Sequence, residues 1–252
     1  MLTPEQRERV EVVLVSPRNP LNIGAVARAM ANFSFSRLTV VAPYEPHWRE
    51  ARSAVGAPDL LRHATEAATL SEAVAGCTFV AGTGTRTHRQ PQQPVLLLPE
   101  AAPIFAKQTA AGRTALVFGP EKHGLTRDDL SWCHSLVEIP TDPRQPSMNL
   151  GQAAAVCLYE LARHTISSPV APLAPPTEPT SPSGALDRLA GLIEETMITA
   201  GYSPRAMQPA NRHDLRLLLR RLAPSALDTR RMLGLFRRIL YRLHQPSGRP
   251  ER

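Results

Sequence analysis

The sequence predicts an α/β protein, an α/β domain carrying a small α-helical C-terminal extension, and three observations carry that reading. Short apolar, β-branched runs alternate with helical stretches through the first part of the chain, the pattern of a sheet covered by helices. Residues 165–184, TISSPVAPLAPPTEPTSPSG, hold six prolines in twenty positions and almost no charge, the composition of an extended, semi-rigid linker. Beyond the linker, apolar residues recur at helical spacing.

In chain order the predicted strands are Val10–Val15, Leu38–Val41, Thr78–Ala81, Ala115–Phe118 and Leu136–Ile139, each apolar or β-branched and bounded by turn residues. An alanine-rich helix is expected over Ile23–Asn32, with Asn22 as its cap. A second, Leu70–Ala75, follows Thr69, and a third, Leu125–Trp132, follows a glycine. The long helix Asn149–Arg163 carries Ala153, Val156, Cys157, Tyr159 and Leu161, dense enough to bury most of its circumference. In the tail, Leu186, Leu189, Leu192, Ile193 and Met197 mark one helix, and Leu215, Leu218, Leu219 and Leu222 a second. A third is marked by Met232, Leu235, Phe236, Ile239, Leu240 and Leu243. So small a bundle is expected to pack on the main domain or on a partner subunit. The division is therefore 1–164 for the α/β domain, 165–184 for the linker, 185–245 for the helical domain and 246–252 for a terminal tail.

Composition narrows the class. With 42% hydrophobic and 20% charged residues in 252, neither disorder throughout nor a collagen-like chain fits. No apolar run approaches the roughly 20 residues of a membrane helix, and Met1 to Val10 lack the basic and apolar regions of a secretory signal. A cytoplasmic protein is expected. Cys77, Cys133 and Cys157 are odd in number and far apart, which suits neither a disulfide framework nor a zinc site, and they read as small core residues. Charge is uneven: residues 1–165 hold 16 basic and 15 acidic side chains, and residues 166–252 hold 13 and 7. A basic tail fits an anionic partner such as RNA, and equally a solvated helix surface in an arginine-rich proteome.

Three segments sit where chemistry is expected. The first, Asn19-Pro-Leu-Asn-Ile-Gly-Ala-Val-Ala-Arg-Ala-Met-Ala-Asn32, follows the first strand. Asn22 and Gly24 at a helix start would leave free amides for a phosphate, and Arg28, one turn later, is able to grip phosphate by two parallel bonds. A capped helix with a surface arginine is the plainer account of these residues alone. The second, Leu116-Val-Phe-Gly-Pro-Glu-Lys-His-Gly124, is a strand running into a glycine-bearing loop. In open α/β sheets ligands bind beyond the carboxyl ends of strands, where glycine lets backbone approach them, although a simple strand-to-helix turn also accounts for it. The third, Ile139-Pro-Thr-Asp-Pro-Arg-Gln-Pro-Ser-Met-Asn-Leu150, is stiffened by three prolines and offers Ser147 and Asn149 as caps, which a plain capped helix also needs. A fourth, Gly82-Thr-Gly-Thr-Arg86, ends another strand.

Taken together and in this order, the three segments resemble the signature of the SpoU or TrmH branch of SPOUT methyltransferases. Motifs of the form N-x-x-N-I-G-x-x-x-R-A, F-G-x-E-x-x-G-L and I-P followed by S-L/M-N-L match Asn19 to Ala29, Phe118 to Leu125 and Ile139 to Leu150. The linker and a tail containing Leu192-Ile-Glu-Glu-Thr-Met-Ile-Thr-Ala-Gly-Tyr202 look like the C-terminal extension of the TrmJ subgroup. The resemblance implies a SPOUT fold with a parallel sheet and a deep C-terminal trefoil knot, a homodimer with a shared active site, S-adenosylmethionine as cofactor and no metal. Carried over by position, it implies cofactor contacts at Thr83, Gly84, Thr85, Gly119, Gly124, Ile139, Pro146, Ser147 and Met148, where Met148 replaces the commoner leucine at little cost. It puts the family arginine at Arg28, with Asn22, Glu121 and Asn149 beside the reacting ribose as the catalytic group.

The function this implies is a tRNA ribose 2′-O-methyltransferase acting on cytidine or uridine 32 of the anticodon loop, with Arg212, Arg216, Arg220 and Arg221 of the tail as candidate RNA contacts. Another RNA or tRNA position as target, or a non-catalytic RNA-binding relative, are the alternatives. A dinucleotide-dependent oxidoreductase is disfavoured, because no G-x-G-x-x-G follows the first strand and Gly82-x-Gly84 lacks the third glycine.

Overall fold

A computed structural model describes residues 2–85, 91–163, 180–202 and 208–245. Thr3 caps a single turn, α1 (Pro4–Arg7), before strand β1 (Val10–Val15) and helix α2 (Pro20–Asn32). Strand β2 (Arg37–Val41) leads through a 3-10 turn at Trp48–Glu50 to α3 (Pro58–His63), β3 (Thr65–Ala67), α4 (Leu70–Val74) and β4 (Phe79–Thr83). Then come β5 (Val95–Leu97), α5 (Leu98–Ala111), β6 (Thr114–Phe118), α6 (Arg127–Ser131), β7 (Ser135–Glu138) and α7 (Leu150–Ala162). The tail is α8 (Ser183–Thr199), α9 (Gln208–Leu222) and α10 (Ala226–His244).

The seven strands among the described residues lie in one sheet in the order β3-β2-β1-β6-β4-β7-β5, and every pairing between them is parallel. Every residue of β1 and of β6 is buried, as expected for central strands of a parallel sheet covered on both faces. One face packs Val12, Leu14, Leu116 and Phe118 against side chains of α2, α5 and α7. The other packs Val13, Val15, Val80 and Val117 against α4 and α6. Because the strands are parallel, their carboxyl ends share one edge of the sheet. Cys77, Cys133 and Cys157 are all buried, and burial pushes each thiol up to about 12.

Several expectations are corrected. Helix α2 begins at Pro20, and its cap is Asn19, whose side chain accepts from the Leu21 amide; proline is favoured at the first helical position because the missing N–H has no partner there anyway. Asn22 therefore lies inside the helix. Helix α6 begins at Arg127 under a Thr126 cap, two residues later than expected. On α7, Val156 and Tyr159 are 37% and 52% exposed, so the buried stripe is narrower than the sequence implied. Helix α8 starts at Ser183, within the segment read as linker, and both Ser181 and Ser183 are buried.

The tail is docked on the first domain. Ser183 and Gly184 donate their amides to the carbonyls of Cys77 and Ala75 at 2.7 and 2.8 Å. The Arg220 guanidinium, 3% exposed, donates to the Trp132 carbonyl and to Ser183 Oγ, and it lies 4.9 Å from the centre of the Trp132 ring. Arg216 lies over the same ring at 4.3 Å and pairs with Asp128 and Asp187. No described helix is long and apolar enough to cross a membrane.

Candidate active site

At the carboxyl edge of the sheet, the loops after β4, β6 and β7 enclose a cleft of about 280 Å³. Parallel strands end side by side, so three segments up to 70 residues apart meet there. The structure brings Thr83, Gly84, Thr85, Gly119, Gly124, Ile139, Pro146, Ser147 and Met148 to its wall, together with Glu121. Phe118, Val137, Leu150 and Ala153 add apolar surface, and Lys122 and His123 add polar groups. With Pro120, these were not singled out as contacts by sequence reasoning, although Phe118, Pro120, Lys122, His123 and Leu150 lie inside the quoted segments and Val137 and Ala153 within three residues of one. Arg86, part of the fourth segment, lies outside the described residues.

Local bonds fix the loops. Thr83 Oγ1 donates to the Val117 carbonyl at 3.1 Å, tying β4 to β6, and the Gly84 amide donates to Val137 at 3.1 Å. The loop after β6 folds back on itself, with the Gly124 amide donating to the Pro120 carbonyl at 2.8 Å. A Cβ on Gly119 would stand 2.2 Å from the Leu125 nitrogen, and Gly124 holds a φ of 63°. Only glycine allows this closure.

The three motifs are joined by one polar chain. Glu121 accepts from the amides of Arg18 (3.0 Å) and Asn19 (3.1 Å) and from Asn22 Nδ2 (2.9 Å). Asn22 Oδ1 in turn accepts from Asn149 Nδ2 at 2.9 Å, and Asn149 Oδ1 caps α7 through the amides of Gly151 and Gln152. Partial burial opposes ionisation of Glu121, but the bonds from Asn22, Arg18 and Asn19 outweigh it and hold the carboxyl below the usual carboxylate range. A carboxylate with both oxygens engaged in this way is a latch for loops and a poor proton acceptor.

The amides expected to receive a phosphate are not free. Asn22 donates its N–H to the Asn19 carbonyl at 2.9 Å. Gly24 serves packing, since a Cβ there would fall 2.2 Å from Ser53 Oγ. Arg28 is not brought to the cleft wall. It is exposed on α2, without a hydrogen bond or ion pair to any described residue. Leu21 on α2 is 55% exposed, and Val156 and Tyr159 are exposed on α7, which packs against α2.

The tail arginines also need correction. Arg216 and Arg220 are engaged in docking the tail, and Arg212 pairs with Glu194 at 3.6 Å. Of the four, only Arg221 is exposed without a carboxylate partner among the described residues.

A profile of the SpoU rRNA Methylase family matches residues 9–159. The chain is 32% identical over 230 residues, 90% of its length and 95% of the relative's, to the tRNA (cytidine/uridine-2'-O-)-methyltransferase TrmJ of Pectobacterium atrosepticum. It is 43% identical over 156 residues to the tRNA (cytidine/uridine/adenosine-2'-O-)-methyltransferase TrmJ of Pseudomonas aeruginosa, spanning 61% of this chain and 60% of that one. The crystal structure of TrmJ from Z. mobilis ZM4 is similar with a TM-score of 0.80 at 30% identity, covering 91% of this chain and 98% of that one.

Proposed function

The chain belongs to the SpoU rRNA Methylase family, and on that premise we propose that it is an S-adenosylmethionine-dependent tRNA ribose 2′-O-methyltransferase, acting on cytidine or uridine 32 of the anticodon loop as a cytoplasmic homodimer. One observation carries the proposal: nine positions implied by the family resemblance, drawn from three distant segments, line one cleft at the carboxyl edge of a parallel sheet. The names of the TrmJ relatives support tRNA as the substrate, and the tail's likeness to the TrmJ extension supports position 32.

The cleft suits the cofactor. Its size is near the lower end for small-molecule sites, and it combines an apolar wall of Phe118, Val137 and Leu150 with backbone brought close by Gly119. Thr83, Gly84, Thr85, Gly119, Gly124, Ile139, Pro146, Ser147 and Met148 would hold it. When bound, S-adenosylmethionine supplies an electrophilic methyl group for an in-line displacement. The family's trefoil knot is supported by β7, which enters the sheet between the earlier strands β4 and β5 before the chain returns as α7 against α2 and α5.

The protein's own contribution is alignment and electrostatics. The Glu121–Asn22–Asn149 chain holds the cleft loops and the start of α7 in register. Arg28 grips the phosphate beside the target ribose and stabilises the developing alkoxide; guanidinium keeps its proton, so it is not the base, and the proton passes to water or phosphate. Its place outside the cleft lining, exposed on α2, and the exposed Leu21, Val156 and Tyr159 on the packed pair α2 and α7 support a dimer in which Arg28 serves the partner's cleft. The test is to incubate unmodified tRNA with the protein and S-adenosylmethionine and to map 2′-O-methylnucleosides by mass spectrometry. A single new methyl at position 32 is expected, and tRNA without any cofactor-dependent methyl would overturn the proposal.

A further inference from the structure

Docking consumes much of the positive charge on α9, which leaves the excess on α10. One side of α10 is committed to the tail's own core: Thr229 and Leu240 are buried, and Met232, Leu233 and Phe236 pack toward Leu189, Ala190 and Leu219. The opposite side carries Arg231, Arg238 and Arg242, and one flank adds Arg230 and Arg237, all exposed. Among the described residues, Arg231 alone of the five has a carboxylate partner, Asp228 at 3.6 Å. Tyr241, 62% exposed, stands between them. From Arg230 to Arg242 this face runs about 18 Å along the helix, enough to follow several consecutive phosphates.

We propose that the arginine face of α10, and not α9, is the tail's contact with the sugar–phosphate backbone of the RNA substrate, with Tyr241 offering a stacking surface to an unpaired base. The proposal rests on the RNA-modifying reading above. The geometry favours RNA over an anionic lipid surface, because Arg238 and Arg231 stand opposite the buried side with Arg242 beside them, while Leu235, Ile239 and Leu243 run down one flank back toward the buried side. A helix lying in a bilayer surface carries the apolar stripe at its centre. Phosphate contacts of this kind supply affinity and orientation but no base selection.

The test is the full-length triple variant Arg231→Gln, Arg238→Gln, Arg242→Gln, compared with the wild type and with the corresponding lysine triple. tRNA binding is measured over a range of salt, and methyl transfer is measured at saturating tRNA. The glutamine variant is expected to bind tRNA at least about tenfold more weakly, with the slope of log affinity against log salt shallower by about two to three, one contact per arginine. The lysine variant is expected to keep the wild-type slope, and the saturated rate of both is expected to stay within about twofold of wild type, since neither change touches the cleft. Unchanged affinity and slope in the glutamine variant, beside a wild type that methylates tRNA, would overturn the α10 assignment and leave the enzymatic reading standing. A wild type that binds tRNA through α10 but transfers no methyl would support the surface and overturn the enzymatic reading. Loss of binding to phosphatidylglycerol vesicles with tRNA affinity retained would reassign the face to a lipid surface and overturn the proposal.

Discussion

Burial sets the charge of His134. Its Nδ1 accepts the Val80 amide at 3.1 Å, its ring lies beside Phe79, and desolvation, helped by the nearby Arg220 charge, pushes its pKa down to about 3. The folded imidazole stays neutral through the acid range, whereas the unfolded one takes up a proton near 6.5. The unfolded state therefore binds more protons between those values, so stability falls as the pH drops below about 6.5, by up to about 1.4 kcal/mol per pH unit from this residue. Above 6.5 both states are neutral and the effect vanishes. His134→Asn retains an acceptor for Val80 without the titration. Urea unfolding at pH 7, 6 and 5 is expected to show a steeper decline for wild type than for the variant; parallel declines would mean that the imidazole is reached by solvent in the folded state.

At the scale of elements, the latch joining the three motifs has the most to lose. Asn22→Ala removes the bridge between Glu121 and Asn149, leaving the Asn149 amide without its acceptor while the helix caps persist. A loss of about 1.5–3 kcal/mol is expected, because one of the bonds is to a carboxylate. Cofactor affinity is expected to fall about tenfold in calorimetry, as the 119–124 loop loses its anchor to α2. Unaltered affinity would show that the loop holds itself closed. What was legible in the sequence follows from the same local physics. The wall of the cleft was readable because glycine and proline punctuate the ends of β4, β6 and β7, and β1 was readable because five of its six residues are valine or leucine, Glu11 alone breaking the run. Helix α5 was not read as a helix, since Pro99 and Pro103 interrupt its pattern, and β3 and β5 have three residues each, too few to show a period. The roles of Asn22 and of the α9 arginines depend on partners about 30 to 130 residues away, Glu121, Asn149, Asp128, Asp187 and Trp132, and no spacing along one chain reports such pairings.

For the whole molecule, Arg28 is not among the residues that line the cleft of its own chain, and the proposed dimer accounts for that. In a two-fold dimer built on the α2–α7 face, each active site would take its cleft from one subunit and its arginine from the other. Arg28→Ala is then expected to abolish methylation while leaving cofactor affinity intact; turnover within about tenfold of wild type, a loss of only about 1.4 kcal/mol, would remove Arg28 from the mechanism. Gly119→Ala, which forces a Cβ against the Leu125 amide, is expected to abolish cofactor binding while leaving Arg28 in place. Each homodimer would be inactive for a different reason. A heterodimer of the two would contain one site with both defects and one with neither. Random exchange makes half the dimers mixed, so mixing equal amounts is expected to restore about a quarter of wild-type activity. If each subunit used its own arginine, every site in the mixture would carry one defect and activity would stay at background. The outcome of mixing therefore decides whether the methyl and the guanidinium belong to one chain or to two.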